Sequence, residues 1–60
     1  MDKEYFVSTW NKAYKILWDN DAMFNYSEEK IDQFELLFEA GDTLEIKVSA
    51  WDYIYITKQN

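Results

Sequence analysis

Ala13-Tyr14-Lys15-Ile16-Leu17-Trp18-Asp19-Asn20-Asp21-Ala22-Met23-Phe24-Asn25-Tyr26 is the stretch whose reading decides how the chain is put together. Tyr14, Ile16 and Trp18 alternate with Lys15 and Leu17, a period of two that predicts a strand. Asp19-Asn20-Asp21 is turn chemistry, because Asp and Asn tolerate left-handed backbone. Ala22 to Tyr26 then predicts the returning strand of a hairpin. Upstream, Tyr5 to Trp10 is aromatic and β-branched and reads as strand, with the join across Asn11-Lys12 left open.

Downstream comes a helix with both ends written into it. Ser27 suits the N-cap, and Glu28 and Glu29 place carboxylates in the first turn, where the helix dipole favours them. Lys30 to Ala40 is rich in strong helix formers, and Gly41 stands where a left-handed residue ends a helix. These signals predict a helix from Glu28 to Ala40. Thr43 to Ala50 alternates again, with Leu44, Ile46, Val48 and Ala50 set against Glu45, Lys47 and Ser49. Trp51-Asp52 reads as a bend or bulge, and Tyr53 to Thr57 continues as strand or sheet edge. The order strand, strand, helix, strand predicts an α+β fold in one domain, residues 1–60: a three-stranded antiparallel sheet with one helix on one face.

A chain of 60 residues buries only about 60% of its unfolded surface, and domains this small usually carry a staple. There is no Cys and no His, which excludes disulfides and Cys/His zinc sites and leaves association as the available staple, hence an expected homodimer. Three Trp, five Tyr and four Phe supply apolar area for both a core and an adhesive surface. No apolar run approaches the ~20 residues that span a bilayer, and Met1-Asp2-Lys3-Glu4 lacks the basic start and apolar stretch of a signal peptide. The expectation is a cytoplasmic protein without a membrane partner.

The net charge is −6, and its distribution says more than its size. Eight acids and one base, Lys30, lie between Asp19 and Asp42. A concentrated negative region repels nucleic acid and attracts basic protein surfaces. Plain solubility is the competing explanation of such acidity.

Catalytic signals are missing: no His for a base, no Cys for a nucleophile, no Gly-rich loop for a phosphate. Asp19-Asn20-Asp21 lacks the further oxygen ligands, the Gly and the distal Glu of a calcium loop. Glu35 and Glu39 share a helix face and read as a solvated anionic surface rather than an acid/base pair. No enzyme activity, cofactor or metal is expected. On the predicted helix, Ile31, Phe34, Leu37 and Phe38 share a stripe, while Leu36 lies away from it among Asp32, Gln33 and Ala40. One sheet face needs a single stripe. The surplus is either a wide core stripe with one stray leucine or a surface buried only in a dimer or complex. Asp32, Glu35 and Glu39 rim it, and an apolar centre with a charged rim is the anatomy of a protein-binding surface.

At this point the chain resembles a known family, the very short DNA-mimic proteins with which small phages inhibit host uracil-DNA glycosylase. The likeness is clearest in Asp32-Gln33-Phe34-Glu35-Leu36-Leu37-Phe38 followed by Gly41-Asp42-Thr43-Leu44-Glu45-Ile46-Lys47-Val48. Phe6-Val7, Ile16-Leu17-Trp18-Asp19 and Phe24-Asn25-Tyr26 match more loosely. The resemblance implies a homodimer, each subunit pairing a three-stranded antiparallel sheet with one helix. It also implies acidic groups presented to the enzyme's DNA groove and a hydrophobic pocket that captures the apolar side chain the enzyme pushes into DNA. Phe34 and Phe38 would help form that pocket, Glu35 would stand in for a phosphate, and Leu37 is a further expected partner-binding residue. Phe38 lacks the hydroxyl of the family's tyrosine. An acid of the family's second strand falls here on Asn25, with Glu28 as a substitute. With Asp32 and Glu39 these are the expected partner-binding residues. A base-flipping enzyme carries a basic groove and an apolar wedge, so a decoy needs negative charge around an apolar centre. The expected partner is therefore a host uracil-DNA glycosylase, with no nucleic acid bound. The alternatives are a mimic aimed at another nucleic-acid enzyme, such as a restriction or interference nuclease, and a small acidic assembly subunit.

Overall fold

A computed structural model describes residues 2–60. Strand β1, Lys3–Val7, opens the chain, followed by helix α1, Trp10–Asp19, a short 3-10 helix at Ala22–Asn25, and helix α2, Glu28–Glu39. Strands β2, Leu44–Lys47, and β3, Tyr53–Lys58, complete the fold. It is α+β, as expected, but with two helices and a mixed sheet. The strand order is β1-β3-β2. Strands β2 and β3 pair antiparallel, Leu44 opposite Ile56 and Lys47 opposite Tyr53. Strands β1 and β3 run parallel, Lys3 opposite Ile54 and Val7 opposite Lys58, so the sheet is not purely antiparallel. Among the described residues no helix is long and apolar enough to cross a membrane.

The expected hairpin over Ala13–Tyr26 is replaced by a helix and a 3-10 turn. The cause lies just upstream. Thr9 is extended (φ −133°) and its hydroxyl accepts the Lys12 amide at 3.4 Å, which starts a helix at Trp10. Ala13 and Leu17, four residues apart, are both fully buried, and Trp10, Tyr14 and Trp18 follow one another at the same spacing. The alternation of Tyr14, Ile16 and Trp18 spans too few residues to outweigh this period. The helix ends at Asn20, whose backbone amide and side-chain amide both donate to the Ile16 carbonyl, at 3.1 and 2.9 Å. Asp21 then takes left-handed backbone, φ 57°, so the turn chemistry of Asp19-Asn20-Asp21 joins two helical pieces instead of two strands.

Helix α2 follows its sequence signals. The Ser27 hydroxyl accepts the Lys30 amide at 3.2 Å, and Glu28 and Glu29 fill the first turn. At the other end Gly41, φ 92°, donates to the Phe38 carbonyl and Asp42 donates to the Leu37 carbonyl, both at 3.0 Å, the paired bonds of a Schellman stop. Both helices lie on one face of the sheet. Ile31, Phe34 and Phe38 of α2 meet Ala13 and Leu17 of α1, Ala22, and the inward residues Leu44, Ile46, Ile54 and Ile56. The opposite face, with Phe6, Glu45 and Tyr55, is left uncovered in the single chain.

The expected strand over Thr43–Ala50 shortens to Leu44–Lys47, because the chain turns back at Val48, whose amide donates to the Asp52 carbonyl at 3.0 Å. The Lys47 end of the outer edge of β2 is capped by Asn25 of the 3-10 segment and by Tyr26, the residue after it. The Tyr26 hydroxyl accepts the Lys47 amide at 2.8 Å, and the Asn25 side-chain amide donates to the Lys47 carbonyl at 2.8 Å. Satisfying the Lys47 backbone in this way removes it as a pairing site for another strand.

A Cβ at Gly41 would meet nothing within 4 Å, so only the left-handed backbone opposes a larger residue there. Gly41→Ala is expected to lower stability by about 1–2 kcal/mol and Gly41→Asn by less, read as the shift in thermal midpoint. A Gly41→Ala protein as stable as the parent would contradict the positive φ.

Candidate binding groove

Helices α1 and α2 face each other across a groove of about 380 Å³. Its first wall is α1, where Trp10, Tyr14 and Trp18 line up at four-residue spacing. Its second wall is α2, where Glu28, Asp32 and Glu35 succeed one another with Ile31 beneath. Met23, Phe24 and Tyr26, from the 3-10 segment and the residue after it, close one end. The four-residue spacing gives α1 an aromatic stripe and α2 an acidic one, and the packing of the two helices sets them across one groove.

The rings form a continuous ladder. Trp10 and Tyr14 lie 6.0 Å apart between centroids, Tyr14 and Trp18 6.3 Å, and Trp18 and Phe24 6.0 Å. The interplanar angles, 55°, 72° and 87°, are tilted to edge-on, the geometry that the ring quadrupoles favour. The ladder is not core. Trp18 is 47% exposed and Phe24 77% exposed, an unusual display for side chains of that size. Its inner end is anchored by Trp10 against the buried ring of Phe38, 5.8 Å away.

The expected site residues divide into four groups. Glu28, Asp32 and Glu35 come together on the groove's rim, and they make no ion pair or side-chain hydrogen bond among the described residues. Glu39 is farther along α2 and pairs with Lys58 of β3 at 3.6 Å, which ties it to the sheet. Phe34, Phe38 and Asn25 have structural places. Phe34 is 5% exposed, packed edge-on against Tyr26 at 4.9 Å, and Phe38 is completely buried. Neither ring is at the surface of the single chain; the exposed apolar lining of this groove comes from α1 and the 3-10 segment. Asn25 holds the end of β2. Leu37 is partly exposed and Leu36 is the stray residue, 72% exposed and outside the groove.

Trp10, Tyr14, Trp18, Met23, Phe24 and Tyr26 line the groove and are not among the partner-binding residues expected from the sequence. The signal that finds the α1 rings is Thr9 as a cap followed by aromatics every fourth residue. No group of three or more His, Cys, Asp or Glu among the described residues is placed to hold a metal ion. On the uncovered sheet face, desolvation first and then the charges of Asp2 and Glu45 push the Tyr55 hydroxyl above its usual range, with Tyr53 and Glu4 adding to it. That face is therefore negative as well, but it carries no aromatic ladder. No family model, curated protein or solved structure matches the chain.

The two classes of aromatic residue have separable consequences. Phe34→Ala removes a buried ring and is expected to cost about 3–5 kcal/mol, comparable with the whole stability of a domain this size. Phe24→Ala, at an exposed position, is expected to stay within about 1 kcal/mol of the parent. Chemical denaturation of both variants checks this, and a Phe34→Ala protein as stable as Phe24→Ala would return Phe34 to the surface.

Proposed function

We propose that this protein acts by binding and blocking a partner protein whose surface is basic, with the groove between α1 and α2 as the working surface. One observation carries the reading: an exposed aromatic ladder stands opposite three carboxylates that have no ion-pair partner among the described residues, all inside one concavity. Solubility explains acids scattered over a surface. It does not explain acids gathered beside exposed Trp and Phe, because exposed aromatic area works against solubility. Aromatic anchors surrounded by polar groups are the usual makeup of an interface hot spot.

The partner class in this reading is a DNA-processing enzyme of the cytoplasm, whose cleft is built to take a negative backbone and an unstacked base. The named target is host uracil-DNA glycosylase, supported by the likeness over Asp32–Phe38 and Gly41–Val48. The mixed sheet and the second helix differ from the architecture that likeness implies, so the support is confined to α2 and β2. The groove offers Glu28, Asp32 and Glu35 as phosphate substitutes and the α1 rings as the apolar element. Self-association belongs to the same reading: the chain is small, has no disulfide, and leaves Phe6 exposed on an uncovered sheet face.

The test uses purified glycosylase and a uracil-containing oligonucleotide. The expected result is inhibition near stoichiometric amounts, weaker association as salt rises, no binding of the protein to DNA, and sedimentation of the free protein at twice the 7.3 kDa chain mass. Full glycosylase activity at a large molar excess of this protein would eliminate that target.

A further inference from the structure

We infer that the groove is an arginine-receiving site, taking the guanidinium of a partner's arginine between the aromatic ladder and the carboxylates of α2. This rests on the groove being the working surface and names the chemical group that enters it.

Three observations select the occupant. The first is size. At about 380 Å³ the groove lies near the lower end of the ~300–1,000 Å³ range of ligand pockets, so it holds one or two side chains and not a helix. The second is charge. Glu28, Asp32 and Glu35 line it and no cation does. An aliphatic side chain entering there would strip water from three carboxylates and return nothing to them, which is costly. A cation replaces the lost water with charge-assisted hydrogen bonds. The third is the opposite wall. Tyr14, Trp18 and Phe24 meet one another edge-on or tilted and are solvent-exposed, so ring surface is available to a flat cation.

Those walls together favour arginine over lysine. A guanidinium is planar and weakly hydrated, stacks on a ring with its face, and donates N–H groups from its edge to carboxylates. An ammonium is compact and strongly hydrated, and it meets only one wall well. All six cations of this chain are lysines, so no arginine of its own competes for the site. Lys30, the lysine nearest in sequence to the acidic stripe, is held 5.2 Å over the Phe34 ring.

The tryptophans supply the readout. Trp10 and Trp18 line the groove, while Trp51 sits in the β2–β3 turn, 88% exposed and outside it. Three matched peptides serve as probes: acetylated and amidated Gly-Arg-Gly-Arg-Gly, its citrulline counterpart, which keeps the shape without the charge, and its lysine counterpart. Each is titrated into the 15N-labelled protein, following the indole N–H resonances. The inference expects the arginine peptide to shift Trp10 and Trp18 saturably and leave Trp51 in place. It expects the citrulline peptide to bind at least about tenfold more weakly and the lysine peptide to fall between. The combined variant Glu28→Gln, Asp32→Asn, Glu35→Gln should lose the preference for arginine over citrulline while keeping the parent's dispersed spectrum, since all three side chains are exposed. Equal binding of arginine and citrulline peptides, equal shifts at all three indoles, or no shift at all would each overturn it. The glycosylase assay reads separately. A chain that binds the arginine peptide but leaves the glycosylase active supports this inference and removes only the named target. A chain that inhibits the glycosylase but ignores the peptide overturns this inference and keeps the target.

Discussion

Phe38 is where the parts of this small structure meet. It is fully buried, it belongs to the core formed with Leu17, Leu44, Ile46 and Ile56, and its ring contacts Trp10 at 5.8 Å. A 60-residue chain without disulfides has little stability to spare, so one central ring shared by both helices and the sheet carries a large part of it. The same contact positions the surface. Trp10 is the first rung of the ladder that runs through Tyr14 and Trp18 to Phe24. The exposed aromatics are thereby held from the core outward, which would keep the ordering cost of the proposed binding low.

Charge is organised by the same frame. Helix α2 carries acids along its outer side, and the fold treats them differently. Glu39 is drawn to Lys58 on the sheet. Glu28, Asp32 and Glu35 are left to the groove. No buried side-chain polar atom among the described residues goes without a partner, so these carboxylates are surface groups kept in water rather than strained core groups. In the proposed reading, their negative potential favours approach of a basic partner and the rings beside them give it something to settle on.

Much of this was legible in the sequence, and the illegible part has three physical origins. Ser27 and Gly41 delimited α2 because capping and left-handed backbone depend on single local residues. Leu44 and Ile46 announced a strand by alternation, and Asp21 is left-handed where turn chemistry was expected. The acidic half of the groove followed from α2 directly. The aromatic half did not, because Tyr14, Ile16 and Trp18 satisfy a period of two while Ala13 with Leu17 and Trp10 with Tyr14 and Trp18 satisfy a helical one. Thr9, the residue that breaks the tie, lies outside the ambiguous stretch. The parallel pairing of β1 with β3 joins Lys3 to Ile54, and no local signal encodes a partner so distant in sequence. Phe34 and Phe38 are core because α2 packs on a sheet and on α1 together, which needs a wider apolar stripe than a sheet alone.

The groove exists only if residues 10–19 are helical, and nuclear Overhauser contacts in solution test that most directly. The account predicts strong sequential amide–amide contacts from Trp10 to Asp19, contacts from each Hα to the Hβ three residues on, and ring contacts between Trp18 and Phe24. An extended pattern over Ala13–Trp18, with cross-strand contacts to Ala22–Tyr26, would establish the hairpin instead and remove the groove.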